Sequence, residues 1–167
     1  MIYYIGNLGL DASMECCYTG CMNATMEYAR SYLSKCDVIG VDTETQGMDF
    51  TSKKMIMFQI GDADKQFVID VRNQSIESLR GILEGDKIIK ILHNAKFDYK
   101  FIKRWADIEL SNVYDTFLTE RVLHCGKNDV RYGLKHLVKK YFNQDLDKEI
   151  RNKFVNLEGK PYTENQV

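Results

Sequence analysis

The feature that most constrains the fold is an apolar segment that ends in two acids. Residues 37–43 read DVIGVDT, with Glu44 next, and the β-branched run predicts a buried strand. Because side chains alternate along a strand, Asp42 and Glu44 lie on the same side where that strand ends. Two anions held that close repel each other, and a bound divalent cation removes the conflict. Oxygen ligands of this kind suit Mg²⁺ or Mn²⁺.

The order of the other segments predicts an α/β protein. Three strands come first, the second and third joined by the turn Gly61-Asp62-Ala63-Asp64 as a β-hairpin, and then helices alternate with strands. We expect a mixed five-stranded sheet, an antiparallel meander followed by parallel strands, flanked by helices. The predicted strands are 37–43, 54–61, 66–71, 87–92 and 112–114. The predicted helices are 22–35, 75–85, 95–105, 115–124 and 133–142.

Two helices carry apolar residues at helical spacing that we expect to face inward. These residues are Ile76, Leu79, Ile82 and Leu83 in the first helix, and Phe117, Leu118, Val122 and Leu123 in the second. At the N-terminus, residues 1–6 alternate weakly and predict a short strand, and the polar residues 7–22 predict a loop. We therefore divide the chain into an N-terminal extension, 1–35, and a main domain, 36–167.

Composition narrows the class of protein. A chain of 167 residues with 44% hydrophobic and 28% charged residues fits one globular domain, and a net charge of −1 excludes a strongly basic coat for nucleic acid. No apolar stretch approaches the roughly 18 residues needed to cross a membrane, and the N-terminus lacks signal-peptide features. Five irregularly spaced cysteines argue against a disulfide framework. We expect a soluble cytoplasmic protein with no membrane partner.

A third candidate ligand follows the fourth predicted strand, in the segment HNAKFDYKFI. Asp98 falls near the first turn of the next helix, and sites in α/β sheets gather at strand ends and helix starts. Asp98 can therefore reach the Asp42 and Glu44 cation directly or through water. Asn94 either caps this helix or holds the backbone at the strand end. Asp115 also lies where a strand becomes a helix, and a helix cap is its favoured role over a site residue.

These motifs resemble the DnaQ-like 3′–5′ exonuclease superfamily, which has the RNase H-like fold. The nearest branches are the proofreading domain of family A DNA polymerases and RNase D. The first motif of those families, Asp-x-Glu at a strand end, matches Asp42 and Glu44, and the second, Asn-x3-Asp, matches Asn94 and Asp98. The segments MIMFQIG, QFVIDV, VYDTFLTERVL and YGLKHLVKKYF are similar to family strands and helices, so the resemblance runs from about residue 36 to the end.

The resemblance implies a two-metal mechanism. Two cations about 3.5–4 Å apart activate a water and stabilise the departing 3′ oxygen in an in-line displacement. By this analogy Asp42 bridges both metals, Glu44 binds the metal on the nucleophile side and approaches the 3′ hydroxyl, and Asp98 holds the second metal through water. These three residues are the predicted catalytic and metal-binding set.

The resemblance also implies contacts to the substrate. Thr43 lends backbone groups to the 3′ end, and Met48 matches an apolar position that wedges against the terminal base. Asn94 and Lys96 are further candidates for substrate binding. Lys96 begins a basic series after the second motif, and this series predicts either a phosphate-facing edge or a solvated helix face. The other members are Lys100, Lys103 and Arg104.

The family pattern includes a third motif, Tyr-x3-Asp or His-x4-Asp, which supplies a fourth carboxylate from a late helix. The segment Pro161-Tyr162-Thr163-Glu164-Asn165-Gln166 resembles the family's lead-in to that helix. We therefore expect the third motif to lie beyond Val167, and the chain to be a fragment or a truncated product. Tyr141 with Asp145 has the spacing of the motif but comes too early in the family order.

We expect a divalent-metal-dependent 3′–5′ exonuclease domain that acts on 3′ ends of single-stranded nucleic acid. DNA is favoured, and a polymerase domain downstream is the further partner that this predicts. One alternative is a non-catalytic nucleic-acid-binding remnant that lacks the fourth carboxylate. Another is RNase D-like processing of RNA 3′ ends. A phosphohydrolase with Asp42 as nucleophile is disfavoured, because Glu44 replaces the expected second aspartate and no glycine-rich phosphate loop is present.

Overall fold

The computed structural model describes residues 13–16 and 22–146. The strands are β1 (Ser13–Cys16), β2 (Val38–Thr45), β3 (Met55–Gly61), β4 (Lys65–Asp70), β5 (Ile89–Leu92) and β6 (Val113–Asp115). The helices are α1 (Met22–Leu33), α2 (Arg80–Leu83), α3 (Ala95–Ala106), α4 (Thr116–Leu123) and α5 (Leu134–Phe142), and a 3₁₀ turn (Glu77–Leu79) leads into α2. In the part of the chain so described, no helix has the length and apolar character needed to cross a bilayer.

The strands form one mixed sheet in the order β1-β4-β3-β2-β5-β6. Antiparallel pairs join β2 to β3 and β3 to β4, whereas β5 lies parallel to β2 and β6 lies parallel to β5. The predicted meander with a parallel extension is therefore confirmed. The hairpin turn requires glycine at position 61, since a Cβ there would lie 2.3 Å from the carbonyl oxygen of Lys65.

The sheet has a sixth strand that sequence analysis did not predict. Residues Ser13–Cys16 pair in parallel with β4, inside the segment that was expected to be a loop, so that expectation was wrong for these four residues. Without β1, β4 would be an edge strand with unpaired backbone groups, and pairing with them requires no apolar side-chain pattern. The strand predicted at residues 1–6 lies outside the described residues.

The core lies between the central strands and the helices that cover the sheet. Ile39 and Val41 of β2 are fully buried, and α1 and α3 pack beside them. The inward face predicted for the helix after β4 is confirmed, because all four of its apolar side chains are buried. The helical residues of this core cluster are Met26, Ala29, Leu33, Leu79, Ile82, Leu83, Ala95, Phe101 and Ile102, with Ile76 just before the 3₁₀ turn.

The inward face predicted for α4 is wrong. Three of the four apolar residues, Leu118, Val122 and Leu123, are exposed, Val122 to 76%, and Phe117 is only partly buried. The buried residue of this helix is instead a carboxylate, Glu120.

Two polar groups of α5 account for the burial of Glu120. Its Oε1 accepts a hydrogen bond from the ammonium of Lys140, and its Oε2 accepts one from the hydroxyl of Tyr141 at 2.7 Å. Charge-assisted hydrogen bonds of this kind allow a carboxylate to be buried. The one buried side chain of α4 is thus held by polar contacts to α5, and the predicted apolar face is not.

Candidate active site

The carboxyl end of β2 projects beyond its neighbour on one side. The ladder between β2 and β5 ends at Gly40, opposite Ile91, whereas pairing with β3 continues through Glu44. The last residues of β2 therefore extend past β5 toward the start of α3, which follows β5 by a short turn. This arrangement explains why acids of two distant segments, Asp42 and Asp98, meet at one point.

Asp98 lies on the first turn of α3 and is only 3% exposed. Its Oδ1 accepts hydrogen bonds from the backbone nitrogen of Thr43 at 3.0 Å and from the Thr43 hydroxyl at 2.7 Å. Burial and the nearby charge of Asp42 raise the pKa of Asp98 to about 7. The two carboxylates are therefore in electrostatic conflict, which is the condition that a bound cation relieves.

Glu44 lies two residues beyond Asp42 on the same strand, and both side chains are partly buried. Within residues 13–16 and 22–146, no three side chains of His, Cys, Asp or Glu converge closely enough to form a metal cluster by themselves. The arrangement is thus a pair of interacting carboxylates, Asp42 and Asp98, with Glu44 further along β2.

Asp115 caps two helices at once. Its Oδ1 accepts hydrogen bonds from the backbone nitrogens of Phe117 and Leu118 at the start of α4. The carboxylate also accepts from the nitrogens of Asn94 at 3.0 Å and Ala95 at 2.9 Å, where α3 begins. The predicted role of a helix cap is confirmed for Asp115.

Asn94 occupies the N-cap position of α3 but makes no side-chain capping bond. Its φ of 63° places it in the left-handed region, where asparagine is tolerated better than most residues. The carboxylate of Asp115 supplies the cap instead. The helix that carries Asp98 is therefore anchored by a residue of the neighbouring strand end.

His93 lies in the same region and had no motif to signal it. Its Nδ1 lies 3.0 Å from the hydroxyl oxygen of Thr116, and that hydroxyl donates to the carbonyl oxygen of Leu92. In the tautomer that satisfies both bonds, His93 donates from Nδ1 and keeps Nε2 as an acceptor. Burial lowers the pKa of His93, although the charges of Asp115 and Asp42 oppose this change. The imidazole is thus a neutral group close to Asp42.

A hollow of about 200 Å³ opens between the loop after β2 and one side of α3. It brings together the predicted substrate-binding residues Met48, Asn94 and Lys96. No sequence motif signalled the three aromatic side chains that complete its wall, or that Lys100 would lie beside this loop. The remaining lining residues are Phe50, Phe97, Lys100 and Phe101.

Tyr141 and Asp145 have the spacing of the third motif, but each side chain is bound to another residue and not to a shared site. The Tyr141 hydroxyl is bound to Glu120, and Asp145 forms an exposed ion pair with Lys139 at 2.8 Å. Both side chains are thus engaged with other residues. The segment resembling the lead-in to a third motif, residues 161–166, lies outside the described residues.

Comparison with solved structures supports the fold. Escherichia coli RNase D has a TM-score of 0.76 at 21% identity, over 92% of this chain and 39% of that one. NrnC of Brucella melitensis with bound Mg²⁺ has a TM-score of 0.62 at 21% identity, over 68% of this chain and 57% of that one. The α/β architecture with a mixed sheet and flanking helices is therefore that of RNase D-like nucleases.

Sequence comparison gives the family. Exosome complex component 10 of Homo sapiens is 27% identical over 119 residues, which are 70% of this chain and 13% of that protein. DNA polymerase DpoZ of Vibrio phage phiVC8 is 30% identical over 141 residues, or 76% of this chain and 22% of that protein. The chain thus spans less than a quarter of these relatives. The family model for the 3′–5′ exonuclease matches residues 22–167, and the chain belongs to this family.

Proposed function

We propose that this domain hydrolyses phosphodiester bonds and releases nucleotides from the 3′ ends of single-stranded nucleic acid. In this proposal Asp42, Glu44 and Asp98 hold the divalent cations. The observation that carries this proposal is the conflict between Asp42 and Asp98 at the end of β2, where burial and like charge raise the pKa of Asp98 to about 7. A pair of oxygen donors, the buried carboxyl of Asp98 and the partly buried carboxyl of Asp42, suits a hard divalent cation. The family's exonuclease activity agrees with this chemistry.

Mg²⁺ is commonly bound by one or two carboxylates together with substrate phosphates. A pair of carboxylates, with Glu44 further along the strand, therefore fits a site that is completed when a phosphodiester enters. The NrnC structure named above contains Mg²⁺ in a chain of the same fold. When two cations are bound, they supply an activated water and stabilise the charge of the leaving oxygen. Mn²⁺ is expected to substitute for Mg²⁺.

The surrounding residues hold the carboxylates in place. Both donors of Thr43, its backbone nitrogen and its hydroxyl, are bound to Asp98, so we assign Thr43 to positioning this ligand. Its predicted contact to the 3′ end would have to come from its carbonyl oxygen. Asp115 fixes the start of α3, which carries Asp98. Met48 is 70% exposed at the edge of the hollow, and we expect it to contact the terminal base.

The proposal favours DNA as substrate, as in proofreading. The relative DpoZ is a DNA polymerase, which supports a polymerase domain as a partner of such a chain. RNA is the alternative, because the RNase D structure is described as an exoribonuclease involved in structured RNA processing. DNA and RNA oligonucleotides of one sequence, compared at equal concentration, distinguish the two: faster release from DNA supports proofreading, and faster release from RNA supports RNA processing.

The test of the site uses an oligonucleotide labelled at its 5′ end, incubated with the chain and Mg²⁺ or Mn²⁺. We expect a ladder that shortens from the 3′ end and that disappears with a chelator. Glu44→Gln should slow the ladder strongly, whereas Glu27→Gln, on an exposed position of α1, is the control and should leave it unchanged. A ladder equally fast in Glu44→Gln would overturn the assignment of Glu44.

A second candidate function is binding of nucleic acid without cleavage. It is favoured by one observation: the described residues contain no ready cluster of three metal ligands. Calorimetry with Mn²⁺ and the same oligonucleotide separates the two candidates. Binding of the oligonucleotide without any release of nucleotides, at saturating Mn²⁺, would support this second function over hydrolysis.

We also propose that the protein is located in the cytoplasm. Cys36 and Cys125 are free thiols, which suits a reducing compartment. Fractionation of cells that express the tagged protein tests this location, and recovery in the cytosolic fraction is expected.

A further inference from the structure

We propose that α3 and the loop after β2 form a track for the part of the strand that leads to the 3′ end. The track consists of two neighbouring pairs, Phe50 with Lys100 and Arg104 with Trp105. Each pair combines a cation with an aromatic ring. This inference rests on the proposed function, because the track would deliver a single strand to the carboxylates at the end of β2.

The first pair lies in the hollow beside the site. The Lys100 ammonium is 5.0 Å from the centre of the Phe50 ring, across the space between α3 and the loop. Asn94 and Met48 line the same hollow, so the pair is continuous with the residues proposed to contact the last nucleotide. A cation over an aromatic face gives a phosphate partner and a stacking surface in one place.

The second pair continues the track along α3. The Arg104 guanidinium lies 5.5 Å from the centre of the Trp105 ring, and Trp105 is 41% exposed. The indole nitrogen donates to the carbonyl oxygen of Lys53 at 3.3 Å, which holds the ring against the loop. Lys100 and Arg104 are four residues apart and therefore lie on one face of the helix, about 6 Å apart along its axis.

The basic side chains of α3 differ in whether they form ion pairs. Lys103 forms ion pairs with Asp107 at 2.6 Å and with Glu109 at 2.8 Å, so its charge is neutralised. Within residues 22–146, neither Lys100 nor Arg104 is part of an ion pair. The basic series predicted from sequence is therefore divided: Lys100 and Arg104 present positive charge to a ligand, and Lys103 does not.

A single-stranded nucleic acid is the ligand that this chemistry fits. Proteins that bind single strands without sequence preference combine cations along the backbone with aromatic side chains on which bases stack. An acidic peptide would use the cations but leave the aromatic faces without partners. The track would hold nucleotides upstream of the one that is removed, and would thus favour substrates longer than a dinucleotide.

Trp105 is the only tryptophan of the chain, so its fluorescence reports contact with the track directly. The experiment titrates the full chain, in a chelator that prevents cleavage, with thymidine oligonucleotides of two and ten nucleotides. We expect saturable quenching by the longer oligonucleotide and little by the dinucleotide. Binding of the longer oligonucleotide, measured by anisotropy of a fluorescent label, without any change in Trp105 fluorescence would overturn the inference.

The same anisotropy measurement, made on variants, gives the contribution of Lys100 and Arg104 to oligonucleotide binding. Lys100→Ala combined with Arg104→Ala should weaken binding of the ten-nucleotide oligonucleotide at least tenfold. Each lost phosphate contact should also reduce the slope of log affinity against log salt by about 0.7. Lys103→Ala, on the same helix, is the matched control and should change the affinity less than twofold. An unchanged affinity in the double variant, with an unchanged melting temperature, would refute the track.

The outcomes separate this inference from the proposed function. Wild-type chain that quenches Trp105 but releases no nucleotide with any divalent metal would contradict hydrolysis and leave the track intact. Metal-dependent release that is lost in Asp42→Asn but unaffected by the double variant, for both long and short substrates, would contradict the track alone. The track predicts instead that the double variant raises KM for the ten-nucleotide substrate and leaves the dinucleotide unaffected.

Discussion

Asp98 accepts both hydrogen bonds that Thr43 can donate from its backbone and side chain at the end of β2. The same carboxyl lies close enough to Asp42 for the charge of Asp42 to raise its pKa. Asp98 is thus held in place by Thr43 and repelled by the charge of Asp42. A metal ligand needs this combination, since it must be fixed in place and must gain from the arrival of a cation.

Thr43→Val tests the holding contact. Valine keeps the shape of threonine but removes the hydroxyl that donates to Asp98 at 2.7 Å, so a buried carboxyl loses one partner. We expect the free energy of unfolding to fall by about 1–3 kcal/mol, measured by denaturant titration. Thr51→Val removes an exposed hydrogen bond from the Thr51 hydroxyl to Asp49, and it should change the free energy of unfolding by less than about 0.5 kcal/mol. Equal losses in both variants would contradict the account of Asp98.

The repelling contact predicts a dependence of stability on pH. The pKa of Asp98 is about 7 in the folded chain and 3.8 in its ordinary state, so folding binds a proton between these values. The contribution of Asp98 to stability is therefore fully present below about pH 4 and is lost as pH rises through 7. In a chelator, Asp98→Asn should remove this loss and become more stable relative to wild type as pH rises.

Melting temperatures at pH 5 and pH 8, with and without Mg²⁺, measure this effect. Mg²⁺ should stabilise the wild type at pH 8 more than at pH 5, because the ligand must be ionised to bind it. The Asp98→Asn variant should show a much smaller effect of Mg²⁺ at either pH. Parallel curves for the two proteins would show that Asp98 neither titrates in this range nor binds the metal.

Asp115→Ala tests the double cap. The variant leaves the first backbone nitrogens of α3 and α4 without their acceptor, so we expect a loss of about 1–2 kcal/mol in the free energy of unfolding. Ser75→Ala is the control, since Ser75 accepts one exposed hydrogen bond from the nitrogen of Glu77 and its loss should cost less. If Asp115→Ala were no more destabilising than Ser75→Ala, the carboxylate would not anchor α3.

The elements of the fold that the sequence predicts are those determined by residues close together in the chain. The apolar run predicts a strand by its side chains alone, residues 39–41 of that strand are buried, and Asp42 and Glu44 follow at its end. The turn at residues 61–64 specifies the hairpin in the same way. The helix predicted over residues 95–105 is confirmed as α3, with Asp98 on its first turn.

The parts that sequence does not predict depend on contacts between distant residues. Glu120 is buried because Lys140 and Tyr141, about twenty residues later, bind its carboxylate. Lys100 meets Phe50 only once α3 packs beside the loop after β2. Neither contact leaves a periodic signal in the residues on either side of it.

The most direct test of the central claim is the rate at which nucleotides are released from a single-stranded 3′ end in Mg²⁺ or Mn²⁺ by wild type and by Asp42→Asn. The substitution keeps the shape of the side chain and removes the charge that conflicts with Asp98. We predict release by the wild type and a loss of at least about a hundredfold in the variant, with a melting temperature in a chelator no lower than that of the wild type. Equal rates for the two proteins, or no release by the wild type, would contradict the claim.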